Sequence, residues 1–163
     1  MEDARFEDGA SADQPLRLLV ESDEDLSVAS ALLQDAVGTA ADISWMPRRR
    51  RMVMALNRFR WEDRPAAEKQ RRPYERVRTT LVIDSVLSVK ARGLDPADKE
   101  MNFAVLGLVF EPSADGAGRL ILQLAGDGDL ALDVECLDLR LSDVSQPWVA
   151  KAGAPDHDLE SDT

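Results

Sequence analysis

The sequence predicts the α+β class, with a strongly bent antiparallel sheet or partly open barrel of about seven strands covered by helices. Three observations support this prediction. The longest unbroken apolar run, Phe103 to Phe110, is too short to span a membrane and suits a central strand. Short apolar segments separated by turn residues follow one another from Ile43 onward, and an amphipathic helix precedes them. A chain of 163 residues has room for one such domain.

The N-terminal helix is predicted by a cap followed by an apolar stripe. Ser22 offers a capping hydroxyl, and the acidic residues Asp23 to Asp25 suit the positive end of the helix dipole. Gly38 is placed to end the helix, and a short strand from Leu16 to Val20 is expected before it. The stripe that should pack on the sheet consists of Leu26, Ala29, Leu32, Leu33, Ala36 and Val37.

A hairpin tipped with arginines is predicted to follow this helix. Residues 43–45 alternate between apolar and polar side chains, and Pro47 begins a turn. A second strand then runs from Met52 to Trp61, with Met52, Met54 and Leu56 on one face. Its other face carries Val53, Ala55, Phe59 and Trp61.

The segment after this hairpin is predicted to be a long loop. Glu62 to Arg76 contains two prolines and no apolar periodicity. Loops of this length in a compact domain are usually mobile or functional. Two strands, Thr79 to Ile83 and Val86 to Arg92, follow the loop and are separated by a tight break at residues 84–85.

The apolar run Phe103 to Phe110 is predicted to be the fifth of the seven strands. Gly107 within it indicates a bend, a bulge or a neighbour pressed against the backbone. One face of the run is expected to meet the interior of the sheet and the other face the N-terminal helix. A hairpin follows, in which Gly118 to Ala125 turns at Gly126 to Asp129 into a strand from Leu130 to Val134.

The last apolar segment fits two structures. Leu137, Leu141 and Val144, extended to Trp148, lie at helical spacing, which predicts a short C-terminal helix over residues 135–144. A continuing strand is the alternative, because strict alternation also fits these residues.

The predicted domain spans residues 15–150 and is flanked by two tails. Residues 1–14 and 151–163 are acidic and polar, so they cannot bury enough apolar surface to offset the entropy of ordering them. Both are predicted to be disordered.

Charge is distributed unevenly along the chain. The formal net charge is −11, from 31 acidic and 20 basic residues, which favours a soluble protein that repels nucleic acid and anionic membranes on average. Residues 48–78 depart from this average, because they contain twelve basic and four acidic residues. This segment therefore carries +8, and the remainder of the chain carries −19.

The composition predicts a cytoplasmic protein. Cys136 is the single cysteine, so no internal disulfide can form, and its apolar surroundings in the sequence favour a small buried thiol. The N-terminal residues lack the apolar stretch of a secretory signal, and no segment is long and apolar enough to span a membrane.

The sequence carries no signature of catalysis, of a metal site or of a cofactor. His157 is the single histidine and lies in a predicted tail, and Cys136 has no histidine near it in the sequence. One cysteine and one histidine cannot form a zinc site, and residues 126–129 lack the ligand spacing of a calcium loop.

An arginine cluster is the strongest candidate for a binding site. Guanidinium groups at a hairpin tip, backed by others further along the strand, can bind a phosphate or carboxylate in bidentate fashion. The alternative is that they pair with the protein's own acids or keep a strand edge soluble. The predicted binding residues are Arg48, Arg49, Arg50, Arg51, Arg58 and Arg60.

These observations predict a non-enzymatic binding or interaction domain whose basic hairpin contacts an anionic small molecule or a partner protein. An enzyme that uses carboxylates in a cleft is the first alternative. The second is a weak nucleic-acid binder that uses residues 48–78, where residues 58–61 interleave basic and aromatic side chains. A homodimer formed through an exposed sheet edge or Trp148 is a further alternative.

Two resemblances extend this interpretation. Seven strands and one helix are similar to the pleckstrin-homology-like barrel, whose first hairpin loop often carries basic residues. A family of small alphaproteobacterial proteins in the domain-of-unknown-function series is similar to this chain in the stretches LRLLVESDEDL, LQDAV, WMPRRRRMVMALNRFRWE and LDVECLDLRLSDV. The second likeness covers most of Leu16 to Trp148, and it implies a one-domain bacterial protein without implying an activity.

Overall fold

The computed structural model describes residues 14–95 and 97–149. These residues form a mostly antiparallel sheet with two short helices, so the predicted α+β class with an N-terminal helix is confirmed. The predicted disordered tails, 1–14 and 151–163, lie outside the described residues except for Gln14.

The described residues contain two α-helices and eleven strands. The helices are α1 (Asp23–Leu33) and α2 (Arg64–Lys69). The strands are β1 (Arg17–Val20), β2 (Val37–Thr39), β3 (Ile43–Met46), β4 (Arg51–Phe59), β5 (Glu75–Ile83), β6 (Val86–Arg92), β7 (Asn102–Pro112), β8 (Gly118–Leu124), β9 (Gly128–Val134), β10 (Leu139–Asp143) and β11 (Trp148–Val149).

The strands form one open antiparallel sheet in the order β1, β10, β5, β4, β2, β7, β8, β9, β6. We call β1, β10, β5 and β4 the first half-sheet, and β7, β8, β9 and β6 the second half-sheet. The short strand β2 pairs with β4 on one side and with β7 on the other, so it joins the two halves. β3 pairs with β4, and β11 pairs with β5.

The prediction of seven strands is too low. β2, β10 and β11 contain only three, five and two residues, respectively. A strand this short shows at most one or two periods of alternation, so its sequence does not predict a strand. The neighbouring strands supply the hydrogen-bonding edges that hold these short segments in the sheet.

Helix α1 begins as predicted and ends earlier. The Ser22 side chain accepts a hydrogen bond from the Asp25 backbone N–H, as its capping role requires. The helix stops at Leu33, because Asp35 turns the chain with a positive φ of 66° and donates its N–H to the carbonyl of Val105. Gly38, predicted to end the helix, lies instead in β2.

The predicted C-terminal helix is wrong, and the alternative strand is observed. Leu139–Asp143 forms β10, which pairs with β1 on one side and β5 on the other. The strand therefore pairs the facing edges of β1 and β5, which a helix at this place would leave unpaired. Cys136 lies in the turn before β10 and is exposed, so the expectation of a buried thiol is also wrong.

A single hydrophobic cluster joins the two halves of the sheet. It contains Met54 and Leu81 from the first half-sheet together with Leu122 and Leu132 from the second. The inner faces of the two half-sheets therefore share one core. Helix α1 closes this core with the buried side chains of Leu26, Ala29 and Leu33.

The apolar run Phe103 to Phe110 lies in β7, and Gly107 within it marks a bulge, as predicted. The pairing register with β8 shifts between Val105 and Gly107. A Cβ atom at position 107 would lie 2.9 Å from the Ser30 hydroxyl of α1, so the helix presses directly on this backbone. The expectation that both faces are covered is wrong at Leu106 and Val109, which are 52% and 37% exposed.

The predicted long loop after β4 is more ordered than expected. A 3₁₀ helix over Trp61–Asp63 leads into α2. The ring of Phe59 contacts the rings of Trp61 and Tyr74 at centroid distances of 4.6 and 5.5 Å. The apolar contacts of this segment come from its two ends, where the three rings form an aromatic cluster. The sequence within the segment therefore did not predict them.

Candidate binding site at an arginine tip

The six predicted binding residues lie in two separate places. Arg48 to Arg51 lie at the turn before and the first residue of β4, whereas Arg58 and Arg60 lie at its other end. About 25 Å of strand separates the two groups. The structure therefore brings Arg48 to Arg51 together and excludes Arg58 and Arg60 from their surface. We call Arg48 to Arg51 the arginine tip.

The backbone of the arginine tip is held in one conformation. Pro47–Arg49 forms a 3₁₀ helix, and Arg50 has a left-handed conformation with φ 52°. The Arg50 N–H donates to the carbonyl of Pro47 at 3.1 Å. The Arg50 carbonyl accepts from the N–H of Val86 at 2.9 Å, so the tip is anchored to the start of β6.

The arginine tip is only partly neutralised by its own chain. Arg51 pairs with Asp84 at 2.7 Å, and Arg50 pairs with the exposed Glu135 at 3.1 Å. Arg48 and Arg49 are exposed, and among the described residues neither makes an ion pair or a side-chain hydrogen bond. Two adjacent guanidinium groups are therefore exposed and have no partner in the part of the chain that the structure describes.

Arg58 is fully buried, because it continues the inner face of β4 after Met52, Met54 and Leu56. Its guanidinium donates to both carboxylate oxygens of Asp143 at 3.0 Å and to those of Glu62 at 2.9 and 2.7 Å. Burial alone would lower the pKa of Arg58, but the hydrogen bonds from Glu62 and Asp143 outweigh burial and raise this pKa. Arg58 is thus a charged part of the core.

Arg60 belongs to the same buried network. It is 6% exposed and pairs with Glu75. The neighbouring Asp63 accepts two hydrogen bonds from Arg72, both at 2.7 Å. These bonds lower the pKa of Asp63 although burial opposes the shift. At the C-terminal end of β4, Arg58 and Arg60 therefore pair with the protein's own acids, which was the alternative to a binding site.

The sequence did not reveal this network. Asp143 lies 85 positions after Arg58, and Glu75 lies fifteen after Arg60, so no local pattern joins the partners. The alternation of side chains along β4 could have predicted that Arg58 is buried. It places Arg58 on the same inner face as Leu56.

Two cavities lie away from the arginine tip. One is an open groove of about 460 Å³, and the other is a cleft of about 40 Å³ that has Arg60 and Asp143 in its lining. The groove is lined by Arg92, Leu106, Gln123, Leu124, Asp127, Gly128 and Asp129. Among the described residues, no cluster of three or more His, Cys, Asp or Glu side chains could hold a metal ion.

Neither helix in the described part of the chain combines the length and the apolar composition needed to cross a bilayer.

No curated protein matches the chain, and no solved structure does. A family model matches residues 16–157, which include the stretches on which the predicted resemblance rests. The chain belongs to the family described as Protein of unknown function (DUF2948).

Proposed function

We propose that this protein is a non-enzymatic interaction module that binds an acidic segment of a partner protein through the arginine tip. One observation carries the proposal: Arg48 and Arg49 are exposed, adjacent and without partners among the described residues, on a backbone that is anchored at Pro47 and Val86. Two guanidinium groups held in this way are suited to two carboxylates of a partner.

The shape of the tip favours a protein partner over a small molecule. Small ligands bind in concave pockets that enclose most of their surface. Residues 47–50 form a turn whose side chains are all exposed, which is the form of a projecting contact. A partner protein can reach such a projection, and complementary charge would then govern its association rate and specificity.

Nucleic acid is a weaker candidate for the same surface. Single-stranded nucleic acid binders combine basic grooves with accessible aromatic faces. Phe59 is fully buried, and Arg58 and Arg60 are bound to carboxylates. Residues 48–78 therefore offer fewer free cations, and less aromatic surface, than their sequence suggests.

The wider setting is part of the same proposal. We place the protein in a bacterial cytoplasm, where an exposed thiol such as Cys136 stays reduced. A pleckstrin-homology-like arrangement is supported by the antiparallel sheet and its single core. The strand β10, found where that arrangement calls for a helix, weighs against it.

A peptide-binding measurement tests the proposal. A fluorescein-labelled, glutamate-rich peptide should bind at low salt, as followed by fluorescence anisotropy. Replacing Arg48 and Arg49 with glutamine should weaken binding about tenfold, the combined effect of two exposed ion pairs. The matched control replaces Lys90 and Lys99, two exposed cations elsewhere, and should leave the affinity within about twofold.

Three results would count against this function. Equal weakening in the two double variants would mean that net charge, and not the tip, attracts the peptide. Absence of binding at low salt would remove the proposal altogether. Tighter binding of an oligonucleotide of equal charge, lost in the Arg48→Gln/Arg49→Gln variant, would favour the nucleic-acid alternative.

A further inference from the structure

The first half-sheet presents an outer face, formed by the side chains of β1, β10, β5 and β4 that point away from the core. Strand register places Leu19 beside Arg140, Arg140 beside Val82, and Val82 beside Val53. Directly opposed residues of antiparallel strands project from the same side of the sheet. These four side chains therefore form one row across the outer face.

The next row on this face consists of Arg17, Ser142, Thr80 and Ala55. All of these except Arg17 have short side chains. Arg140 stands on one side of this row, and Arg78, which lies opposite Asn57, stands on the other. Alternate residues along a strand are about 7 Å apart. A shallow trough therefore crosses the strands, with a floor of small half-buried residues and an arginine on each side.

The outer face also exposes large apolar side chains. Leu19 and Val144 are 62% and 59% exposed. Trp148 is 40% exposed and lies opposite Arg76, so it projects from the same face. Tryptophan and arginine are the residue types that most often dominate protein interfaces, where an apolar centre is combined with a charged rim.

Among the paired residues of these four strands, the outer face carries arginines and no carboxylate. Of these arginines, Arg51 and Arg140 bind Asp84, and Arg78 binds Asp42. The chain from residue 14 to 149 is acidic as a whole, with 18 basic and 22 acidic residues. The positive charge on this face is therefore a local property and not a reflection of composition.

The outer face of the second half-sheet differs in charge. Arg119 pairs with Asp133, and Arg92 pairs with Asp129, across neighbouring strands. Its charges alternate and neutralise one another, as on an ordinary solvated sheet. It exposes Leu106 and Val109 without an excess of cations, so it provides a matched control surface on the same molecule.

The arginine tip adjoins the first of these faces. Arg51 is the first residue of β4 and pairs with Asp84, and Asp84 also accepts a hydrogen bond from Arg140 at 3.4 Å. The exposed guanidinium groups of Arg48 and Arg49 thus stand where β4 begins, beyond the row that contains Val53 and Arg140. The tip and the outer face form one continuous basic surface with apolar side chains in it.

We infer that this continuous surface docks an acidic partner segment that also carries apolar side chains. The inference rests on the proposed function and defines the partner more closely: carboxylates meet the arginines, and apolar side chains cover Leu19, Val144 and Trp148. The four strands contain 4, 5, 9 and 9 residues, which gives a footprint of about 430 Å², about half of one side of a standard interface. A second copy of this chain is a poorer fit to the same surface, because it would place arginines against arginines.

Two labelled peptides of equal charge test this inference. One alternates glutamate with leucine, and the other alternates glutamate with serine. The leucine peptide should bind about tenfold more tightly, as expected for burying one or two apolar side chains. Leu19→Ser with Val144→Ser should abolish this preference, whereas the control Leu106→Ser with Val109→Ser should retain it.

A charge variant keeps the test valid if the serine variants unfold. Arg17→Gln with Arg140→Gln should weaken binding of both peptides, and the matched change Arg92→Gln with Arg119→Gln should leave both unchanged. Far-UV circular dichroism of each variant confirms its fold.

The outcomes separate this inference from the proposed function. Equal affinity for the two peptides would overturn the inference and leave the arginine tip as the binding site. Absence of binding by either peptide would remove both. A dimer seen by sedimentation of the unmodified protein and lost in the Leu19→Ser/Val144→Ser variant would make a second copy the occupant and overturn the inference.

Discussion

Asp143 joins three segments of the first half-sheet at one end of the core. Its carboxylate accepts two hydrogen bonds from Arg58 in β4 and one, at 3.0 Å, from the N–H of Leu16 just before β1. A buried ion pair of this kind adds little stability over a well-packed apolar pair. These bonds form only when β1, β10 and β4 are in register, so the pair specifies how the strands align.

Asp63 should contribute stability that depends on pH. The two hydrogen bonds from Arg72 hold the pKa of Asp63 below its ordinary value of 3.8. A carboxylate with a lowered pKa in the folded state stabilises the protein above its ordinary pKa, and this contribution is lost as the pH falls through the lowered value. Asp63→Asn should therefore reduce the free energy of unfolding by about 2 kcal/mol at neutral pH.

Urea unfolding at a series of pH values measures this difference. The curves of the unmodified protein and the variant should converge as the pH falls through the lowered pKa of Asp63. Asp133→Asn is the control, because Ser88 and Arg119 lower the pKa of Asp133 on an exposed surface, where the loss should be smaller. A loss at Asp63 that stays constant with pH would mean that charge is not its cause.

Residue type and strand period gave opposite predictions along β4. Pro47 and the four arginines after it indicated an exposed turn, which the structure has. Arg58 was expected to be exposed because it is charged, although the strand period buries it. Burying a charged guanidinium costs free energy unless a carboxylate from elsewhere in the fold pairs with it. Asp143 could not be identified as that partner from the sequence.

At the scale of elements, the contact between α1 and β7 fixes the helix on the sheet. Ser30 accepts a hydrogen bond from the N–H of Leu108 at 2.9 Å, just after the bulge at Gly107. Helix α1 thus supplies the acceptor for this N–H. Gly107 is required here because of the close approach of the helix, since its φ is not in the left-handed region.

Gly107→Ala should destabilise the protein by about 1 to 3 kcal/mol, the usual cost of overpacking a close contact. Ser30→Ala alone should cost about 1 kcal/mol through the lost hydrogen bond. The double variant should cost less than the sum, because removing the hydroxyl makes room for the new methyl group. Chemical denaturation of the three variants measures this coupling, and strict additivity would show that the two residues do not touch.

Elements with a local cause could be predicted, and elements set by distant partners could not. The start of α1 follows from Ser22 and the acidic residues after it, and it was predicted correctly. The end of α1 depends on a hydrogen bond from Asp35 to Val105 in β7, seventy positions later. β10 fitted helical and strand spacing equally, and the edges of β1 and β5 decided between them.

At the scale of the whole molecule, the antiparallel sheet could be predicted and the strand order could not. A succession of strands joined by short turns must curl to bury one face. The pairings of β1 with β10 and of β2 with β7 join segments far apart in sequence, and no turn motif predicts them. The basic surface depends on these pairings, because β1 brings Arg17 beside β10 and its Arg140.

The shared core predicts that the two half-sheets unfold together. Leu132 of β9 belongs to the same buried cluster as Leu81 of β5, so neither half keeps a complete core alone. A domain with one core of this kind normally unfolds in a single cooperative transition. The chain carries its own reporter, because the three tryptophans, Trp45, Trp61 and Trp148, all lie outside the second half-sheet.

Tryptophan fluorescence and far-UV circular dichroism should therefore give coincident urea transitions. Leu132→Ala, in the second half-sheet, should cost about 2 to 4 kcal/mol and lower the midpoint of both signals equally, although no tryptophan lies in that half. Val109→Ala, an exposed change on the same half, is the control and should leave both midpoints in place. A shift confined to circular dichroism would contradict the prediction, because it would mean that the second half-sheet unfolds independently of the first.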